Sequence, residues 1–302
     1  MGFLSKIFGK PLKDEMDYMD GKNEKFASAV DVFKEMYSSH CIDTGLGTAK
    51  LIEHYAESDR ITSEASSYIP YILKDRYLIR AYTRKGENSD AREYACNVWK
   101  NLIDSEEICD VKFLNATYRA ASHSFAQQGY DRKKSSDILI SALKSNKNND
   151  KTIDGFVRSF IYDNGDNILK DKDLAKDSLE IINEAIFTGK CCEHIRSSFC
   201  AHCCNILQQN YGDNELIMKT KSTFNKSLVA GEMSVDTLES LLNFIKAKGN
   251  NKELSDLVKG VLEKRQKDIK PKVVETKIDD KPSVRTTTIP QAVQSKGKDV
   301  HK

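Results

Sequence analysis

Residues Asp110–Asn146 read DVKFLNATYRAASHSFAQQGYDRKKSSDILISALKSN, and their pattern decides the fold class. Leu114, Tyr118, Ala121 and Phe125 recur at the spacing of one α-helical face. Gly129 follows, and a residue without a Cβ takes the left-handed backbone at which helices commonly end. Beyond the polar turn Tyr130–Lys134, Ser135 or Ser136 is placed to cap a second helix, with Ile138, Leu139, Ala142 and Leu143 on its inner side. Two amphipathic helices joined by so short a turn pack antiparallel, each covering the other's apolar stripe.

The same punctuation recurs. Gly86, Gly129, Gly165, Gly212 and Gly249 each follow an apolar helical run and precede another, at intervals of 43, 36, 47 and 37 residues. Gly45 or Gly47 extends the series by roughly 40 residues, and a drifting interval of that size marks stacked helix–turn–helix units. Over Gly86–Lys264 the chain resembles the tetratricopeptide-like family. Ala121, Ser122 and Phe125 match the small-small-aromatic pattern of a first repeat helix, with Tyr118 as its early large residue. Gly129 matches the turn, and Ser135, Leu139 and Ala142 match the second helix with one residue inserted. The proline that closes the family's pattern is absent. The resemblance implies stacked hairpins and a surface that binds a protein or peptide.

A chain of 302 residues could bury one large core or two smaller ones, and a stack needs no single centre because each unit covers its neighbour. The net charge of +2 divides unevenly, since residues 269–302 hold eight Lys or Arg against four Asp or Glu. That balance predicts neither a general nucleic-acid binder nor an acidic solvating chain. Five of the eight cysteines fall within Cys191–Cys204, which is not the even spacing of a short secreted disulfide scaffold. No apolar run has the length of a bilayer span, and Lys6 and Lys10 interrupt any secretory signal core. The expected location is the cytoplasm.

The N-terminal MGFLSKIFGK places Phe3, Leu4, Ile7 and Phe8 on one side of a short helix, with Lys6 and Lys10 across from them. Such a tip fits peripheral contact with an anionic membrane surface, or docking on a protein. Gly2 lacks the Ser or Thr at position six that myristoylation favours; Lys6 stands there. Leu12–Asn23 reads as a linker, and Phe26, Val30, Phe33 and Tyr37 mark the first body helix. DTGLGTAK, residues 43–50, lacks the Gly-Lys-Ser/Thr ending of a phosphate loop and reads as a turn. Ser63–Lys85 interleaves tyrosines with cations. Tyr71, Lys74, Tyr77 and Arg80 are the candidate partner-binding residues here, by ring stacking and charge, and Pro70 opens or breaks a helix. Trp99 reads as a core anchor in a helix capped at Ser89 or Asp90. Helices are also expected over Asp154–Ile168, Leu174–Ile186, Leu216–Leu228, Val235–Lys246 and Leu254–Lys264.

Lys190–Tyr211, KCCEHIRSSFCAHCCNILQQNY, invites a zinc reading, because thiolates and imidazoles are preferred ligands. On a continuous helix they do not converge. Cys192, Ile195, Phe199, Cys203 and Ile206 form one stripe, with Cys200, Cys204 and Leu207 beside it, while Cys191, His194 and His202 point elsewhere. Reduced cysteines in such stripes pack as small hydrophobes. Arg196–His202 is also similar to the Arg-spacer-His signature of the HEPN family of helical ribonucleases, with Ser197 where that family carries Asn, Asp or His. That similarity implies an arginine holding the scissile phosphate and a histidine as acid or base, across a dimer cleft.

The sequence therefore predicts an all-α protein, a right-handed α-solenoid of antiparallel helix hairpins over residues 24–268. A tip and linker over 1–23 precede it, and a tail over 269–302, rich in proline and lacking aromatics, follows. The expected activity is that of a non-enzymatic scaffold for a protein or peptide partner, without cofactor, metal or specific nucleic acid; the alternatives are the helical ribonuclease and a membrane-recruited adaptor.

Overall fold

A computed structural model describes residues 46–57, 61–77, 89–105 and 108–269. Phe3, Leu4, Ile7 and Phe8, the linker, the Phe26–Tyr37 helix, Arg80, Gly86 and the tail beyond Ile269 lie outside the described residues. Among those described, all regular structure is helical. The helices are α1 (Leu46–Glu57), α2 (Ser63–Ser66), α3 (Ile69–Tyr77), α4 (Ser89–Asp104), α5 (Val111–Ala126), α6 (Arg132–Lys144) and α7 (Asp150–Val157). A π turn (Arg158–Tyr162) continues α7, and then come α8 (Gly165–Ile168), α9 (Lys172–Phe187), α10 (Glu193–Gln208), α11 (Asn214–Val229), α12 (Val235–Ala247) and α13 (Lys252–Ile269). None of them is long and apolar enough to cross a membrane.

The opening hairpin forms as its apolar spacing requires. Leu114, Tyr118, Ala121 and Phe125 on α5 and Ile138, Leu139, Ala142 and Leu143 on α6 are all buried, and the two helices pack together. The turn chemistry differs from expectation. Gly129 takes φ +91°, as a left-handed helix end needs, but the cap of α6 is Asp131, whose carboxylate accepts from Lys134 N at 3.0 Å. Ser135 sits inside the helix, its hydroxyl donating to the Asp131 carbonyl. An ionised carboxylate is a stronger acceptor for exposed first-turn amides than a hydroxyl, so the earlier residue starts the helix. The pair recurs in the chain: Gly212 precedes the Asp213 cap, and Gly249 precedes Asn251, which accepts from Leu254 N at 3.2 Å.

Two layers result. The first comprises α3, α5, α7 with its π turn, α10 and α12; the second comprises α1, α4, α6, α9, α11 and α13. Each helix packs on the next in its own layer, and α3–α4, α5–α6, α10–α11 and α12–α13 also pack as hairpins across the layers. In the middle pair, α8 makes the contact with α9. The apolar interior runs along the seam. Trp99 is buried with its indole N–H donating to Thr117 Oγ1 at 3.2 Å, and Tyr118, Phe156, Phe160 and Phe199 form an edge-to-face and stacked chain linking α5, α7 and α10. Buried Asn148 ties α5, α6 and α7 together: it accepts from Tyr118 Oη at 2.7 Å and Thr152 Oγ1 at 3.0 Å, and donates to the Ala142 and Leu143 carbonyls.

Three further expectations are corrected. Residues 43–50 are not one turn, because α1 already begins at Leu46. Asp154–Ile168 is not one helix: Asp163 N bonds back to Arg158 O at 2.9 Å, a five-residue register that ends regular α geometry. The helix at Trp99 includes both Ser89 and Asp90. Pro70 opens a helix, one of its two expected roles: it lies in the first turn of α3, where its missing N–H is harmless.

Candidate functional site

The outer faces of the two layers carry different chemistry. On the second layer, long charged side chains reach from each helix to the next. Lys134 pairs with Glu93, Arg132 with Asp171 at 3.5 Å, Lys144 with Glu184 at 3.6 Å, Lys176 with Glu215 at 2.7 Å, Lys219 with Glu180 at 2.6 Å and Lys221 with Glu253. Several partners lie 39 to 41 residues apart, so corresponding positions of successive hairpins meet. Between described residues, no ion pair joins two first-layer helices.

The first layer instead bears two grooves. The larger, about 470 Å³, lies between the α2–α3 turn and α5 and is lined by Ser67, Tyr68, Tyr71, Lys112, Asn115, Ala116 and Arg119. Lys112, Asn115 and Arg119 share one helical edge, outside the stripe of the buried Leu114 and Tyr118. Lys112 and Arg119 are exposed and make no ion pair with a described residue, and α5 contains no acidic residue. Asn115 turns its amide oxygen inward, where a Cβ on Gly155 would stand 2.1 Å away; only glycine lets α7 approach α5 there.

The second groove, about 380 Å³, lies among the π turn, α8 and α10, with Phe244 of α12 at its edge. The π turn leaves Tyr162 58% exposed while Phe160 remains buried. Ser198 Oγ donates to the His194 carbonyl, so the Tyr162 hydroxyl donates to Ser198 Oγ at 2.6 Å. Asn205 lines the groove, and its buried amide oxygen has no partner. Buried acceptors are nearly always satisfied, and π turns concentrate at functional sites.

Most of the reactive-looking residues of helix α10 are buried among apolar side chains or already hydrogen-bonded. Ile195, Phe199, Cys200, Cys203, Cys204 and Ile206 are buried as the stripes require. Cys192 departs from its stripe: it is the exposed N-cap residue. Burial pushes the Cys204 thiol up to about 12 and those of Cys200 and Cys203 upward as well, so all stay protonated and poorly nucleophilic at neutral pH. No cluster of three or more His, Cys, Asp or Glu among the described residues could hold a metal. His202 was expected to point away from the core, and it is buried. Ser178 Oγ donates to the Ala175 carbonyl, which makes His202 Nε2 the donor to Ser178 Oγ at 3.3 Å. Burial lowers His202 to about 4, so it is neutral. Arg196 is also buried, and its guanidinium is held by the carbonyls of Cys191 (3.2 Å), Gly231 (2.8 Å) and Glu232. The two side chains serve different interfaces and do not converge within one chain.

Of the residues expected to bind a partner, Tyr71 lines the larger groove. Lys74 instead lies over the Tyr130 ring, 5.9 Å from its centroid, and Tyr77 is the last residue of α3. Lys112, Asn115, Arg119, Tyr162, Asn205 and Phe244 were not foreseen. The signal for the first three was present: a polar stripe on α5 with cations and no acid. No family model, curated protein or solved structure matches the chain.

Proposed function

We propose that the chain is a right-handed α-solenoid of tetratricopeptide-like hairpins, a non-enzymatic scaffold that binds a protein or peptide along the outer face of its first layer. One observation carries this reading: among the described residues, the ion pairs between successive hairpins lie on the second layer, while both grooves and the cations Lys112 and Arg119, in no such pair, lie on the first. Stacked hairpins give a continuous surface longer than any single unit, and such surfaces suit extended partners. The half-exposed rings of Tyr68, Tyr71 and Phe244 offer contact area at low entropic cost. Arg196 and His202, the pair of the ribonuclease alternative, are already engaged, the first by the carbonyls of Cys191, Gly231 and Glu232 and the second by Ser178, which favours the scaffold.

Selection of displayed random peptides on the full chain tests the reading. Bound peptides are expected to be lost on Tyr162→Arg or Phe244→Glu, at the groove rims, and retained on the second-layer variants Lys176→Glu and Lys219→Glu. The reverse pattern sinks it.

A further inference from the structure

We propose that the groove between α3 and α5 takes an acidic, extended segment of the partner, its carboxylates held by Lys112, Asn115 and Arg119 and its apolar side chains resting on Tyr68 and Tyr71. This inference rests on the first layer being the binding face. The groove's chemistry is one-sided. Lysine and arginine are donors without acceptors, and the one acceptor of the Asn115 amide is buried against Gly155. What Lys112, Asn115 and Arg119 offer to a ligand is therefore donors and positive charge, 3, 4 and 7 positions apart along one edge of α5. A ligand rich in acceptors and negative charge complements them. Carboxylates meet guanidinium and ammonium groups through charge-assisted bonds about twice as strong as neutral ones.

On the second layer Arg132, Lys144, Lys176 and Lys219 are answered by acids of a neighbouring hairpin. The stack has the means to neutralise a lysine and does not use it on α5. A nucleic acid shares the acceptor-rich character, but it needs a cationic track along its whole backbone. The neighbouring groove is lined by Asp166 and His194 and by no lysine or arginine, so the positive character is local. A short acidic segment fits that extent.

Fluorescein-labelled poly(Glu,Tyr) is the probe, with anisotropy read on the full chain. Binding is expected to weaken with added salt and to fall by about tenfold or more in the double variant Lys112→Glu/Arg119→Glu, two charge-assisted contacts being reversed. Both residues are exposed, so an unchanged melting curve shows that the fold survives, and the pair Lys112→Arg/Arg119→Lys keeps the affinity. Equal affinity for the double variant, no binding of the acidic copolymer, or tighter binding of poly(Lys,Tyr) or poly(U) overturns the inference. If display-selected neutral peptides still depend on Tyr162 and Phe244, only the acidic preference falls. If they do not, the first-layer reading falls with it.

Discussion

Both layers are built from amphipathic helices, yet their outer faces diverge. The second layer matches lysine or arginine on one hairpin to aspartate or glutamate on the next, as in Lys176–Glu215 and Lys219–Glu180. On the first layer Lys112 and Arg119 are exposed and form no ion pair with a described residue, and the buried amide oxygen of Asn205 has no partner among the described residues. Exposed ion pairs contribute little to stability, about 0–1 kcal/mol each. Their value on the second layer is in fixing which positions of successive hairpins meet. Stability is supplied by the seam, and in the proposed function the first layer carries the chemistry that a partner would satisfy.

If the seam supplies stability to both layers, the largest effect belongs to Phe156→Ala. That ring touches Tyr118, Phe160 and Phe199, and its loss is expected to cost about 3–5 kcal/mol in urea unfolding, with both layers melting together. Separate melting of the layers would break the comparison at its root. Arg196→Met comes next: removing a buried donor to three carbonyls is expected to cost about 2–4 kcal/mol. An unaltered fold would remove the structural role assigned to Arg196 and return weight to the ribonuclease alternative.

The sign of the His202 effect follows from burial. Its folded value near 4 lies below the ordinary 6.5, so the unfolded chain binds the proton first. Stability from this group is therefore complete above pH 6.5 and declines as pH falls toward 4, with a slope of up to about one proton, and His202→Gln flattens that segment. The smallest effect is predicted for Lys219→Ala, below about 1 kcal/mol in unfolding and nil in partner binding. A large loss of binding there would erase the distinction between the layers.

The helices were legible because burial imposes a period that sequence displays: Leu114, Tyr118, Ala121, Phe125 and Trp99 are all where spacing places them. The glycine punctuation was legible too, since Gly129, Gly212 and Gly249 adopt positive φ at helix ends. The π turn was hidden because Phe156 and Phe160 keep a four-residue apolar spacing straight through it. His202 was misread for another reason: its partner, Ser178, sits on α9, and no local pattern announces a polar side chain satisfied from a distant helix. The grooves were legible only in part: the cationic edge of α5 shows in the sequence, but the surfaces that close each groove do not. Periodicity tells which residues face outward; it does not tell which of them find an opposite charge some 40 residues along the chain.

Site-specific photocross-linking in the native cell tests the central claim most directly. Benzoylphenylalanine is placed in turn at Arg119 and Tyr162 on the first layer, and at Lys176 and Lys219 on the second. The account predicts one recurrent partner adduct from the first-layer positions and none from the second. Adducts confined to Lys176 and Lys219, or equal from both faces, would contradict it.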